Sequence, residues 1–314
     1  MAEKVICVTG PTACGKTRLG ILLARQYGGE IISCDSMQLY RGMEIGTAAP
    51  TAEERALAVH HMVGVAAPDE AYSAARFVHE ADACVQDCLA RGRVPILVGG
   101  TGLYMDSLVR GGGFAAGCSG GKIRAGLTAR LERKGIAPLF DELRAVDPDA
   151  AARLHISDEK RILRALEVYL ETGETLTAHN ERTRTTPPKY DATYIALSFA
   201  DREELRRRID LRVDKMVEAG LLEEVRTLLR SGVPREATAM QAIGFKEFLA
   251  VSDGTMTERE AVETVKLRSR QYAKRQLTWL RKNKSVHWFF WEKECDFQAA
   301  LQFSTKILSA EGLS

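Results

Sequence analysis

The stretch Val5-Ile6-Cys7-Val8-Thr9-Gly10-Pro11-Thr12-Ala13-Cys14-Gly15-Lys16-Thr17 decides how the rest of the chain is read. Val5 to Val8 is an unbroken apolar run with the length of a buried strand. It stops at a Gly/Pro loop, and a helix is expected over residues 16–27, where Leu19, Leu22, Leu23 and Tyr27 recur at helical spacing. A GxxxxGK[ST] pattern set between strand and helix is the context a phosphate-binding loop requires. Its glycines let backbone N–H groups turn inward, the helix N-terminus adds partial positive charge, and the lysine reaches the terminal phosphates. Gly10, Pro11, Thr12, Ala13, Cys14, Gly15, Lys16 and Thr17 are therefore the expected diphosphate cradle. Thr17 is the expected ligand of a Mg²⁺ ion.

Working outward, Ile31-Ile32 reads as a second short strand and residues 94–98 (VPILV) as a third, preceded by an Ala-rich helix over residues 74–91. A fourth strand is expected over residues 194–199 and a fifth over 286–291. Strands alternating with helices predict an α/β fold, a parallel sheet covered on both faces, with ligands at the carboxyl ends of the strands. Between Gly111 and Pro188 the texture changes: glycine clusters, then helical periodicity without strand signals. The expected organisation is a phosphate-loop core over residues 1–112 and 189–314, interrupted by a helical insertion over 113–188 that hinges on it. Extra helices packed on the sheet are the competing reading.

At 314 residues the chain can bury a sizeable core, and no apolar run approaches the roughly 18 residues of a membrane span. It starts with a strand-like run and lacks a leader pattern, which predicts a cytoplasmic protein. The seven cysteines are scattered without paired metal-ligand spacing, so free thiols in a reducing compartment are expected. Net charge is only +2, yet residues 264–291 hold no Asp or Glu while carrying Lys266, Arg268, Arg270, Lys274, Arg275, Arg281, Lys282 and Lys284. One basic segment on a near-neutral protein points to a face that meets a polyanion.

A phosphate loop does not name a reaction. Kinases and NTPases usually place an Asp after a later apolar strand to hold Mg²⁺. Here Ile96-Leu97-Val98 runs into Gly99-Gly100-Thr101 with no acid. The acid is Asp35, in Ser33-Cys34-Asp35-Ser36-Met37-Gln38, directly after the second strand. A carboxylate there is placed for general-base work, with a cap on the following turn as the alternative.

Taken in order, GPTACGKT, DSMQLY with Arg41, IGTAAP at residues 45–50, HHMV at 60–63, LVGGTGLY at 97–104, RILRALEV at 161–168, MQAIGFKE at 240–247 and RQYAKRQLTWLR at 270–281 resemble the bacterial tRNA dimethylallyltransferase family over nearly the whole chain. The last two motifs are specific to that family, whereas the first is shared with many kinases. The resemblance implies a phosphate-loop enzyme that moves a dimethylallyl group from its diphosphate to the exocyclic amine of the adenosine 3′-adjacent to the anticodon of tRNA, with Mg²⁺ as cofactor, acting as a monomer. It makes Asp35 the base, with Ser36, Met37 and Gln38 beside it at the adenine. Thr101 becomes the donor to the leaving oxygen, and Arg212 joins Lys16 on the diphosphate. Arg212 also stands out by position, since it falls on the edge of the Leu205-Ile209-Val213-Met216 stripe of a helix expected over 202–229. A snorkelling arginine is the alternative there.

Expected tRNA contacts are Arg124, Lys160, Arg161, Ile162, Leu163 and Arg164 in the insertion, Met240, Gln241, Ala242, Ile243, Gly244 and Phe245, and the run Lys274, Arg275, Gln276, Leu277, Thr278, Trp279, Leu280 and Arg281. Trp279 could stack on a base or pack inward. His60 and His61 have no identifiable partner and are read as structural. The chain departs from the family pattern at Ala49, Gly64, Ile156, Ser157 and Ser269 and through residues 114–122, none of them a catalytic position. A small-molecule kinase or adenylate isopentenyltransferase, and a noncatalytic RNA-binding protein with a relict loop, remain the alternative functions.

Overall fold

In a computed structural model, described here for residues 2–112 and 121–313, six strands form one sheet: β1 (Glu3–Thr9), β2 (Glu30–Ser33), β3 (His60–His61), β4 (Pro95–Val98), β5 (Tyr190–Phe199) and β6 (Val286–Trp291). Their order is β3-β2-β4-β1-β5-β6 and every pairing is parallel. The continuous apolar runs explain this. Val5, Ile6, Cys7 and Val8 are all fully buried, as a strand covered by helices on both faces must be. Burying each such side chain contributes roughly 1.5–3 kcal/mol.

The first helices are α1 (Lys16–Tyr27), α2 (Glu44–Thr47), α3 (Ala52–Leu57), α4 (Ala74–Ala90) and α5 (Gly102–Arg110). Next come α6 (Lys122–Lys134), α7 (Ala137–Val146), α8 (Pro148–Arg153), α9 (Glu159–Thr172) and α10 (Leu176–Thr185). The last are α11 (Arg202–Glu218), α12 (Leu221–Arg230), α13 (Phe245–Ser252), α14 (Glu258–Leu280) and α15 (Phe297–Ala310). The chain divides into two compact units, one of Met1–Gly112 with Lys189–Ser314 and one of Gly113–Pro188. The second unit is helical among its described residues, with its own core of Leu127, Leu139, Leu143, Ile162 and Leu166. The unusual stretch from Phe114, and Cys118, lie outside the described residues up to position 120. No helix among the described residues is long and apolar enough to cross a membrane.

Two expectations need correction. The helix expected over 202–229 is two helices, because Gly220 adopts φ 100° between Glu218 and Leu221 and the backbone turns there. His60 and His61 are a sixth strand, and His61 does have a partner. Its Nε2 lies 2.7 Å from Oε2 of Glu30. The same buried carboxylate accepts Arg91 at 2.5 and 2.8 Å and the Cys88 thiol at 3.6 Å. Glu30, His61 and Cys88 offer ligand atoms within 4.8 Å of one another, but the bidentate arginine already supplies the positive charge. The cluster ties β2, β3 and α4 together.

Hydrogen bonds from Arg91 above all hold the Glu30 pKa at about 2, below the ordinary 4.5. A carboxyl depressed in the folded state stabilises it fully above the ordinary value, and that contribution is lost as pH falls from 4.5 through about 2. Urea unfolding of the wild type and Glu30→Gln should therefore differ most near neutrality and converge in acid. A difference unchanged down to about pH 2 would exclude this linkage.

Candidate active site

β1 ends in a loop that has little conformational choice. Gly10 lies at φ 136° and a Cβ there would overlap the carbonyl oxygen of Leu197 on β5, so only glycine fits. Ala13 at φ 65° and Gly15 at φ 86° complete the turn into α1. Successive residues of this kind curl N–H groups into an anion-binding concavity, and the first turn of α1 adds its dipole. Cys14 is buried beneath the loop, where the Trp291 indole N–H donates to its carbonyl at 3.0 Å.

Lys16 folds back over this loop, its Nζ donating to the Pro11 carbonyl at 2.8 Å. Burial pushes the Lys16 pKa down and Arg212 adds to the effect, while Cys14 and Asp35 oppose it. Burial likewise lowers the Arg212 pKa, with Asp35 and Cys14 opposing. The Arg212 guanidinium donates to the Thr47 carbonyl of α2 at 3.2 Å. It is thus an inward-directed arginine rather than a snorkelling one. Two desolvated cations within electrostatic reach of a single carboxylate leave a local excess of positive charge, which an anionic ligand would relieve.

Asp35 follows β2 at the sheet's carboxyl edge. The Met37 N–H donates to its Oδ1 at 3.0 Å, and among the described residues no hydrogen bond engages Oδ2. The local cap and the exposed acceptor therefore coexist in one side chain. Thr101 sits across from it on the β4–α5 turn, its Oγ1 accepting the Ser36 N–H at 3.1 Å and lying 3.4 Å from the Ser36 hydroxyl. Thr12, Asp35, Ser36, Met37, Arg212 and Tyr272 line one cavity of about 310 Å³, together with Thr47, Gln241 and Ile243. Phosphate loop, carboxylate and arginine share a single space.

Thr17, at the second position of α1, is partly exposed, and among the described residues nothing hydrogen-bonds its hydroxyl. The cradle offers that hydroxyl and no carboxylate. Such a set fits Mg²⁺ held mainly by diphosphate oxygens and water, the usual habit of an ion that dehydrates reluctantly.

Other expected site residues divide by burial. Gln38 is committed within the protein: its Oε1 accepts from Ser33 at 2.9 Å and its Nε2 donates to the Ala48 carbonyl at 3.2 Å. Both ends of its amide are thus engaged within the protein, and it is not among the residues lining that cavity. Met240 and Phe245 are fully buried, and Ala242 and Gly244 nearly so; Gln241 and Ile243 are the members of that loop that reach the cavity. In the helical unit Ile162 and Leu163 are core side chains, so those side chains are not displayed to a ligand. Arg124 and Arg164 both pair with the buried Glu167, at 2.7 and 2.9 Å, which halves the charge they would offer phosphate. Lys160 and Arg161 are exposed.

Along α14 the same sorting applies. Lys274, Arg275, Thr278 and, just beyond its end, Arg281 are exposed; Leu277 packs against the core and Leu280 is buried. Trp279 packs inward, since a Cβ on Gly102 would overlap its ring. Gln276 is buried and bonded to backbone, so its side chain is unavailable to RNA.

Tyr272 is the cavity residue that the sequence reading overlooked. Burial, then the neighbouring Asp35 carboxylate, push its pKa up to about 12, and its hydroxyl faces Thr101. It lies four residues before Gln276, one helical turn along the same face, and that spacing was the available signal.

Comparison with known proteins agrees with this geometry. The IPP transferase family model matches residues 38–283 and an isopentenyl transferase model matches residues 3–59. The tRNA dimethylallyltransferase of Carboxydothermus hydrogenoformans is 41% identical over 314 residues, covering 100% of this chain and 99% of its own. That of Geobacillus thermodenitrificans is 44% identical over 289 residues, 92% of this chain and 91% of its own. The crystal structure of the full-length tRNA isopentenylpyrophosphate transferase from Bacillus halodurans is 38% identical with a TM-score of 0.72, covering 98% of this chain and 96% of that one. A eukaryotic dimethylallyltransferase captured acting on tRNA is 30% identical with a TM-score of 0.82, over 98% of this chain and 80% of that one. A matching family model over most of the chain, relatives above 40% identity at nearly full length, and a phosphate loop sharing its cavity with a lone carboxylate lead to one statement: this chain belongs to the IPP transferase family.

Proposed function

We propose that the protein transfers a dimethylallyl group from dimethylallyl diphosphate to the N6 amine of the adenosine 3′-adjacent to the anticodon in tRNA, releasing diphosphate, as a monomeric cytoplasmic enzyme. The observation that carries this is the single cavity shared by Thr12 of the phosphate loop, Asp35 and Arg212. A kinase would need an acid placed to hold its metal after a later apolar strand, whereas the one carboxylate among the residues lining this cavity is that of Asp35, after β2.

The amine's lone pair is delocalised into the purine, so it attacks well only as its proton is removed. The free Oδ2 of Asp35 accepts that proton while the N6–C1 bond forms. The C1–O bond breaks and its electron pair passes to the bridging oxygen of the diphosphate. The Thr101 hydroxyl donates to that oxygen, where charge appears in the transition state. Lys16 and Arg212, both held out of solvent, neutralise the remaining phosphate oxygens. Thr17 would hold Mg²⁺, which supplies further neutralisation of the diphosphate. The adenine has to leave its stack to enter a cavity of this size.

The decisive assay incubates the protein with Mg²⁺, radiolabelled dimethylallyl diphosphate and either an anticodon stem-loop RNA or AMP. Label in RNA alone is the expected result. Label in AMP alone would transfer the reading to free nucleotides, and no label in either would end it.

RNA binding should depend steeply on salt. Lys160, Arg161, Lys274 and Arg275 are exposed cations suited to phosphate. Counterion release from four such contacts corresponds to a loss of roughly 50-fold in affinity between about 50 and 200 mM salt. An affinity flat over that range, followed by filter binding, would remove these cations from the RNA site.

A further inference from the structure

Gln276 lies on α14, among exposed cations, yet its side chain is 6% exposed and points into the core. Its Oε1 accepts the Thr12 N–H of the phosphate loop at 2.9 Å. Its Nε2 donates to the Gly100 carbonyl, next to Thr101, at 2.9 Å. Among the described residues no other side chain is hydrogen-bonded to both loops. A Cβ on Gly100 would overlap Nε2, so the amide and the turn are at contact distance. Tyr272, one helical turn before it, faces Thr101 and the Asp35 carboxylate.

We propose that Gln276 is a positioning residue that fixes the distance between the diphosphate cradle and the Thr101 hydroxyl, and so acts on the chemical step rather than on RNA binding. The two loops leave different strands, β1 and β4, and beyond the strand ends the sheet no longer holds them in register. A neutral amide suits the task because one end must accept and the other must donate. Glutamate would turn an acceptor toward the Gly100 carbonyl, and leucine would leave the part-buried Thr12 N–H and Gly100 C=O without this partner. Thr12 N–H is also removed from the set of donors open to a ligand, which leaves the later residues of the loop to hold the phosphates. The inference rests on the reading above, because it presumes that cradle and hydroxyl act on one substrate.

The test uses the full-length protein, with kcat and KM for dimethylallyl diphosphate at saturating RNA, RNA affinity by filter binding, and binding of inorganic diphosphate by calorimetry. Gln276→Leu and the isosteric Gln276→Glu should each lower kcat by on the order of 100-fold, the effect of misplacing reacting groups by about 1 Å. RNA affinity should stay within about twofold, whereas Arg275→Ala, an exposed neighbour, should weaken it. Gly100→Ala should reproduce the kcat defect by displacing the amide. Combined with Gln276→Ala it should cost no more than either change alone, since both break the same bridge. A Gln276→Glu protein with unchanged kcat and weakened RNA binding would overturn the proposal, as would losses that multiply in the double variant. Should Gln276→Leu not fold, Gln276→Glu and Gly100→Ala still decide the matter. A wild-type protein that binds diphosphate and RNA but transfers no label refutes the proposed function, an outcome distinct from either of these.

Discussion

Asp35→Asn should reduce dimethylallyl transfer by about 10²–10⁴-fold while leaving RNA and diphosphate binding near wild type. The substitution is nearly isosteric, and its amide oxygen can still accept the Met37 N–H that Oδ1 accepts at 3.0 Å, so the turn survives. What disappears is a group basic enough to take the N6 proton. Ser36 and Tyr272 supply hydroxyls beside it, but neither is a useful base, and burial, the larger cause of the raised Tyr272 pKa, persists in the variant. Single-turnover measurement with both substrates saturating isolates the step. A rate within about twofold of wild type would remove Asp35 from the chemistry and return it to the role of a cap.

Thr101→Val should cost roughly 10²–10³ in kcat with little change in KM, because a donor to a developing oxyanion matters mainly in the transition state. The hydroxyl also accepts the Ser36 N–H at 3.1 Å, so valine strands that amide as well. Thr101→Ser keeps both the acceptor and the donor and should retain most of the rate. Thermal unfolding separates the two effects: the kcat loss should far exceed anything a modest destabilisation produces at the assay temperature. An unchanged kcat in the valine variant, or a serine variant as slow as valine, would show that the hydroxyl does not reach the leaving oxygen.

Much of this site is legible in the sequence. Residues 5–17 encode strand, turn and helix in local terms, since an apolar run, glycines able to take positive φ and a helical stripe leave one workable path. Asp35 could be found because chemistry-bearing residues after apolar strands fall on one edge of a parallel sheet, whereas the role of Thr101 came only with the family resemblance. The periodic stripe that singled out Arg212 predicted its angular position on α11, and the inward-directed guanidinium agrees with it.

The sequence by itself determined the phosphate loop, the alternation that makes a parallel sheet, the helical character of residues 121–188, and the identities of the charged groups around the cradle. Tertiary structure decided which residues of a basic motif face outward. In Lys274 to Arg281, helical geometry gives each side chain an angle, but only the neighbour across the gap makes one angle a surface and another a bridge. Thr12 is 264 residues from Gln276 and Gly100 is 176 residues from it, so no local pattern could pair them. The same holds for Glu167, which draws Arg124 and Arg164 away from solvent, and for Glu30, which gives His61 its partner. Periodicity is a property of one segment, whereas burial and hydrogen-bond partnership belong to pairs of segments, and the fold alone brings those together.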